Sequence, residues 1–497
     1  MKKIVLLLSI FALCLQLTPT HAASSVKVAI AIENLSDELY ESQIRRIDYI
    51  GVSNGLPYLG GSSTCENFED QNCKDAVVGI LAETVLPTCE SQEKLDCVES
   101  LRVTLVGESE AVAKFEGTLE GKVFNENIDK NISSGSTSSI FSVLDKNKNL
   151  QYFLVTVQLN QLIAKKSIGG FSSTQNPYFS ASIKRVVLNS KSNCLGIFRS
   201  SCISVAKSDE STFSLTVNLK NYPPKWLAGR LEKPSVKISN IDQGVKVRIT
   251  GTSVQVPVVK GLVPVDLFAN YPRGFSASMV QSAADRGTEL VIDSGLALMY
   301  AADVFDALNE KSAEVKSYWN VNGSSQFTAF CSDELKVDCL QGGNGPCVER
   351  SSEFSGVLGT NALAFKRNPP NLMNDEMQFL LASPHYMPDS KLTTGSFSIE
   401  SSSRMLRCVY GLPDLPLFAE ISVVTDGAIQ KTATKSFSEK NGISRINVNN
   451  FTFSTPVIKV KLSQVAPKLS ITCLKGKAKK LVTAVKPKCP AGYKKVS

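Results

Sequence analysis

Cys89-Glu90-Ser91-Gln92-Glu93-Lys94-Leu95-Asp96-Cys97 is a mostly polar segment held between two cysteines, and the same Cys-x7-Cys spacing returns at Cys65/Cys73, Cys194/Cys202, Cys331/Cys339 and Cys339/Cys347. Most of these segments are flanked by residues that read as strands, so the simplest account is a disulfide across the tip of a β-excursion. Zinc sites require Cys-x2-4-Cys pairs or added histidines, and a gap of seven is too wide. Beyond the N-terminal segment the chain has a single histidine, His385, which excludes multi-histidine metal centres. No cofactor or metal is expected.

The chain opens Met1-Lys2-Lys3, continues with an apolar run from Ile4 to Leu17, and reaches Thr20-His21-Ala22 with small residues where a signal peptidase inspects. This pattern predicts a secretory leader cleaved near Ala22. The run is too short for a permanent membrane span, and no later stretch offers one. Of the 13 cysteines, Cys14 would leave with the leader, and the even remainder would meet an oxidising environment. Local pairing is expected for Cys65–Cys73, Cys89–Cys97 and Cys194–Cys202, and Cys473 and Cys489 have no nearer partner than each other. Cys331, Cys339, Cys347 and Cys408 allow three pairings, of which 331–339 with 347–408 is preferred.

The net charge of +8 resembles a nucleic-acid signature until it is located. Nine lysines and no acids lie between Val465 and Ser497, and Lys2 and Lys3 belong to the leader, which leaves about −3 for the rest. Basicity is therefore a property of the tail. That tail lacks interleaved arginines and aromatics, so no nucleic-acid partner is expected.

The fold class that follows is mainly β, in antiparallel sandwiches with disulfide-closed loops and one short helix. Val26/Val28/Ile30, Leu101/Val103/Leu105, Phe153/Val155/Val157/Leu159 and Phe213/Leu215/Val217/Leu219 alternate with mostly polar neighbours, the period of half-buried strands. The expected organisation is a leader at 1–22, a β-rich domain at 23–225, a β-rich middle domain with a helix at 226–375, an immunoglobulin-like sandwich at 376–464 and a basic disulfide-closed tail at 465–497. Tyr222-Pro223-Pro224-Lys225-Trp226 reads as a linker. Leu298, Ala301, Ala302, Phe305 and Leu308 share one helical face, with Asp303, Asp306 and Glu310 opposite, which predicts a helix over 296–310. Seven strands are expected from Glu376 onward: Met377–Ala382, Ser396–Glu400, Arg404–Tyr410, Ala419–Thr425, Ala428–Ser436, Ile443–Phe453 and Val457–Ser463. Asp426-Gly427 and Asn441-Gly442 supply two-residue hairpin turns.

The tail reads Ile471-Thr-Cys-Leu-Lys-Gly-Lys477 and then Lys488-Cys-Pro-Ala-Gly-Tyr-Lys-Lys495, a small hairpin closed by Cys473–Cys489. It resembles the C-terminal pattern Ile-Thr-Cys-x-Lys-Gly-Lys…Lys-Cys-Pro-x-Gly-Tyr-Lys of uncharacterised exported proteins of high-GC Gram-positive bacteria. Arg407-Cys408-Val-Tyr-Gly411, Asn450-Phe-Thr-Phe453 and Asp96-Cys97-Val-Glu-Ser100 extend the likeness. The resemblance implies export and a surface or cell-wall setting; it brings no activity and no active site.

Candidate chemistry is thin. Gly51-Val52-Ser53-Asn54-Gly55 matches the Gly-x-Ser-x-Gly elbow of serine hydrolases, with His385 as the available base, but no βα pattern surrounds it. Asp145-Lys-Asn147-Lys-Asn149 begins like a calcium loop yet has Leu150 at the sixth place and Thr156 at the twelfth, so it reads as a turn. A carboxylate pair for glycoside cleavage leaves no spacing signature, and two tryptophans are few for stacking on sugars. The reading is an exported, non-catalytic surface or cell-wall binding or structural protein. Lys475, Lys477, Lys479, Lys480, Lys486, Lys488, Lys494 and Lys495 are the candidate contacts for anionic envelope polymers or another surface protein, and the alternative is an exported hydrolase.

Overall fold

Alternating apolar residues become strands almost wherever they occur. The computed structural model describes residues 26–33, 40–53, 56–60, 63–89, 96–127, 129, 132–164, 178–188, 194–206, 210–220, 224–268, 277–288, 290–293, 301–309, 311–324, 354–367, 371–373, 376–409, 412–425, 427–453, 455–464, 469–476, 478–484 and 487–496. The leader, Cys331, Cys339, Cys347 and tail residues Lys477 and Lys486 lie outside these.

A 15-stranded sheet forms the spine. Its path runs Thr434–Lys440, Ile443–Thr452, Thr394–Ser402, Gly356–Thr360, Trp226–Arg230, Asn320–Ser324, Tyr178–Val187, Leu150–Ala164, Gly79–Val85, Gln43–Ile47 and Thr64–Cys65. Every neighbour on this path is antiparallel except Trp226–Arg230 beside Gly356–Thr360. Two further sheets cover opposite faces of the spine towards different ends, and Trp226–Arg230 lies where both reach: its Leu227 faces the first and its Trp226 and Ala228 the second. The first is five-stranded and contains Cys97–Thr104, Thr212–Leu219 and Gly244–Thr252; its Leu101, Leu215, Val217 and Val247 pack on Phe153, Val155, Val157 and Phe179 of the spine. The second is six-stranded and contains Glu376–Ala382, Val457–Ser463 and Phe418–Thr425; its Phe379, Val423, Ile458 and Val460 pack on Phe397, Ile399, Ile446 and Val448. Each completely buried side chain of this kind contributes about 1.5–3 kcal/mol, so these two interfaces hold most of the apolar stabilisation.

The pairing of the spine runs across residues 225 and 375. Of the segment expected as a linker, Tyr222 and Pro223 lie outside the described residues, and Trp226 opens the strand Trp226–Arg230, all of it buried and hydrogen-bonded on both edges. A strand buried on both faces shows no alternation, which hid it. Likewise Gly356–Thr360 pairs with Thr394–Ser402, carrying the spine across residue 375.

Between 376 and 464 the expected strands appear with two differences. Arg404–Tyr410 is not a strand, because Ser403–Val409 is an α-helix; Met405 and Leu406 are both buried while Arg404 and Cys408 face outward, a helical division. The Ser402 hydroxyl accepts the Met405 N–H at its start. The segment Ala428–Ser436 splits into Ala428–Ile429 and Thr434–Lys440, which enter different sheets. The Asn441-Gly442 turn forms as predicted, with both residues at positive φ between Lys440 and its partner Ile443.

The predicted helix is present as Ala301–Ala307, with Val304 and Phe305 buried. A second helix, Ala277–Arg286, lies beside it on the sheet of Lys27–Glu33 and Val254–Pro264, burying Val280 and Ala283. Its small apolar residues gave little periodic signal. The four local or isolated cysteine pairs all form, at 65–73, 89–97, 194–202 and 473–489, with Cα separations of 5.9, 5.1, 5.4 and 5.6 Å. Cys408 is disulfide-bonded as well. No helix among the described residues is long and apolar enough to cross a membrane.

Candidate functional site: the basic tail sheet

The tail is a three-stranded sheet rather than a simple hairpin. Leu469–Lys475 turns at Gly476, which has a φ of 59°, into Ala478–Ala484, and Lys494–Val496 returns to the other edge of the first strand. Cys473, fully buried on the central strand, is bridged to Cys489 and so ties the last strand to the hairpin.

Register distributes the lysines. Cys473 stands opposite Lys480 on one side and Lys495 on the other, and Leu474 stands opposite Lys479 and Lys494. Successive residues of a strand point to opposite faces, so each face carries two lysines on the outer strands, about 10 Å apart across the centre. Lys475 and Lys488 are exposed beside them. None of Lys475, Lys479, Lys480, Lys488, Lys494 and Lys495 joins an ion pair among the described residues. With no acid from 465 to 497, their field is unopposed within the sheet.

The lysines share their surface with apolar groups that the sequence reading did not single out. Leu474, Leu481 and Val496 are 36%, 67% and 40% exposed. Leu481 and Val496 both stand opposite Thr472, which puts them on the Leu474 face with Lys479 and Lys494. The alternation around Cys473 carried this signal.

The catalytic alternatives lead elsewhere. Ser53 ends strand Tyr49–Ser53, and the next element is its hairpin partner Leu56–Gly60, so the strand–turn–helix of a nucleophile elbow is not formed. His385 is half-buried; its Nδ1 hydrogen-bonds with the Phe453 carbonyl oxygen, and its ring meets Tyr386 edge-on at 4.7 Å. The Asp145 loop is a hairpin turn whose carboxylate accepts the N–H groups of Asn147 and Asn149 at 2.9 and 2.8 Å. Buried carboxylates are held by their own partners. Glu83 accepts from Gln43 at 2.6 Å and faces Arg45, whereas Asp96 accepts from Ser133 Oγ and the Lys220 N–H. No cluster of three or more His, Cys, Asp or Glu suited to a metal occurs among the described residues.

Compared with known proteins, the chain matches no family model, no curated protein and no solved structure. Function has to be read from the chain's own geometry.

Proposed function

We propose that this is an exported, non-catalytic protein of the cell surface or wall, a binding or structural component whose basic tail sheet contacts anionic envelope polymers. The observation that carries the reading is the set of exposed tail lysines, outside any ion pair among the described residues, fixed on both faces of a disulfide-closed sheet. A rigid sheet holds the bases of its lysines at set spacings, so little backbone freedom is lost when a polyanion docks. The disulfides among the described residues, the apolar leader pattern and the tail's likeness to exported proteins of high-GC Gram-positive bacteria support the setting. The immunoglobulin-like reading of the C-terminal sandwich belongs to the same proposal, with Gly356–Thr360 added and Arg404–Tyr410 removed from its strands.

The test is sedimentation of the full-length protein with isolated Gram-positive cell walls. Pelleting at low salt that is lost at high salt, and lost at low salt in a Lys479→Glu/Lys480→Glu/Lys494→Glu/Lys495→Glu variant, is the expected result. Unchanged pelleting by that variant rejects polymer contact through the tail. Exposure of Leu474, Leu481 and Val496 favours a second reading, docking on another surface protein. Binding that survives high salt and falls with Leu481→Ser selects it.

A further inference from the structure

The spine sheet has a polar face that the tail does not involve. Phe397 and Ile399 lie opposite Val448 and Ile446 in the core, and the residues between them form the reverse face. There Ser396, Ser398 and Glu400 stand opposite Asn449, Asn447 and Arg445, and the neighbouring strand continues the rows with Thr434, Ser436 and Ser438. In-register partners share a face, so three strands present a grid of hydroxyl, amide and charged groups.

Strand Glu232–Ile241 lies against part of this grid, where Glu400 accepts hydrogen bonds from Ser235 Oγ at 3.1 Å and the Val236 N–H at 3.3 Å. Beside it are two adjoining cavities of about 290 and 480 Å³ that share Glu232, Ser396 and Asn449 as walls. Volumes on this scale suit small-molecule ligands. A β-bulge stands on each side: Asn450 has a φ of 60° where the register shifts at Gly395/Ser396, and Lys233 has a φ of 50° where it shifts between Glu232 and Ser235. Bulges of this kind re-aim side chains next to sites.

Two hydroxyls point to a ligand. Thr393 and Ser396 are 2% and 7% exposed, both line the smaller cavity, and neither Oγ has a hydrogen-bond partner among the described residues. A buried hydroxyl left unpaired destabilises the fold, and a bound group that pairs with it removes that penalty.

The surroundings select the ligand's chemistry. Glu210, Glu232 and Glu400 are nearly balanced by Lys233 and Arg445, which disfavours a strongly charged ligand. A peptide strand adds to a sheet edge through its backbone, whereas this groove opens on a sheet face and offers side chains. Met387 and the half-exposed Leu392 supply an apolar wall suited to the C–H face of a sugar ring. We propose that the groove between Glu232–Ser235 and the Ser396/Asn449 rows binds a neutral polyhydroxylated chain, an oligosaccharide, through Ser396, Asn447 and Asn449.

The experiment is titration of the full-length protein with cellohexaose, maltohexaose and N-acetylchitohexaose, followed by calorimetry and saturation-transfer NMR. At least one is expected to bind, with affinity reduced about tenfold in Asn447→Ala/Asn449→Ala, which removes two surface amides and leaves the core intact. Ser396→Ala is expected to unfold at a higher temperature than wild type while binding more weakly. Absence of binding to all three sugars overturns the proposal, as does equal affinity in the double asparagine variant. A Ser396→Ala protein that is more stable and binds equally well removes Ser396 from the site.

Discussion

Glu400 and Arg445 stand directly opposite each other across the antiparallel pair Thr394–Ser402 and Ile443–Thr452 and close an ion pair at 2.7 Å, with Glu400 buried and Arg445 partly exposed. The same carboxylate receives Ser235 Oγ and the Val236 N–H, so one side chain joins the C-terminal strands to a strand more than 160 positions earlier. Arg445→Ala leaves that buried carboxylate without its cation. We expect a loss of about 2 kcal/mol, below the range for completely buried pairs because Arg445 reaches solvent, read as a lower denaturation midpoint at unchanged slope.

Gly395 packs against Phe451, and a Cβ at Gly395 would lie 2.0 Å from the ring's Cε2 and 2.2 Å from its Cζ, far inside van der Waals contact. Phe451 is fully buried beside Phe453, their centroids 5.1 Å apart, and has little room to move. Gly395→Ala is expected to destabilise by about 1–3 kcal/mol through overpacking. Chemical denaturation of the purified variant checks it, and wild-type stability would mean the Phe451 ring shifts freely.

Burial pushes the carboxyls of Asp96 and Glu83 above their usual range; for Asp96 it outweighs the hydrogen bonds from Ser133 and Lys220, and for Glu83 the attraction of Arg45 and the Gln43 hydrogen bond. A carboxyl with a raised folded-state pKa binds its proton more tightly in the folded chain. The stability it contributes is complete below the ordinary carboxylate value, about 4, and is lost as pH rises through the folded value. Asp48 beside Arg46, and Asp145 under the Asn149 N–H, are lowered and act in the opposite sense, losing their contribution as pH falls through their folded values. Thermal stability is therefore expected to rise as pH falls from neutrality toward mild acid and to decline below it. Melting curves across this range, repeated with Asp96→Asn, should show a smaller acid-side rise in the variant.

Opening the Cys473–Cys489 bridge frees a loop with a sequence separation of 16. In the loop-entropy picture the tail sheet loses about 3 kcal/mol. Hydrogen exchange of a Cys473→Ser/Cys489→Ser variant should show faster exchange over 469–496 and unchanged protection in Leu150–Ala164. Loss of protection throughout would mean that the tail supports the body.

A fluorophosphonate probe is expected to leave Ser53 unlabelled, because a strand follows it where a helix is required. Labelling that disappears in Ser53→Ala would revive the hydrolase alternative.

Much of this architecture was legible because exposure alternates with side-chain chemistry along a half-buried strand. Phe213, Leu215, Val217 and Leu219 declared their strand, and the Cys-x7-Cys spacing declared three local bridges. Trp226–Arg230 was hidden since both its faces are covered, and its parallel neighbour Gly356–Thr360 lies some 130 residues away, beyond any local pattern. Ser403–Val409 was mistaken for a strand because Met405 and Val409, four apart, share a face in either period, and only Leu406 beside Met405 marked the helix. The groove residues Ser396, Asn447 and Asn449 were not singled out, since only the strand at Glu232–Ile241 turns their face into a cleft. The tail lysines were visible as composition, but their division between two faces needed the register of the third strand.

Export into an oxidising compartment is tested most directly by alkylating the protein as cells release it, then mapping its peptides without reduction. Bridged peptides joining Cys65 to Cys73, Cys89 to Cys97, Cys194 to Cys202 and Cys473 to Cys489 are the predicted result. Recovery of these cysteines as alkylated free thiols, from protein retained inside the cell, would contradict it.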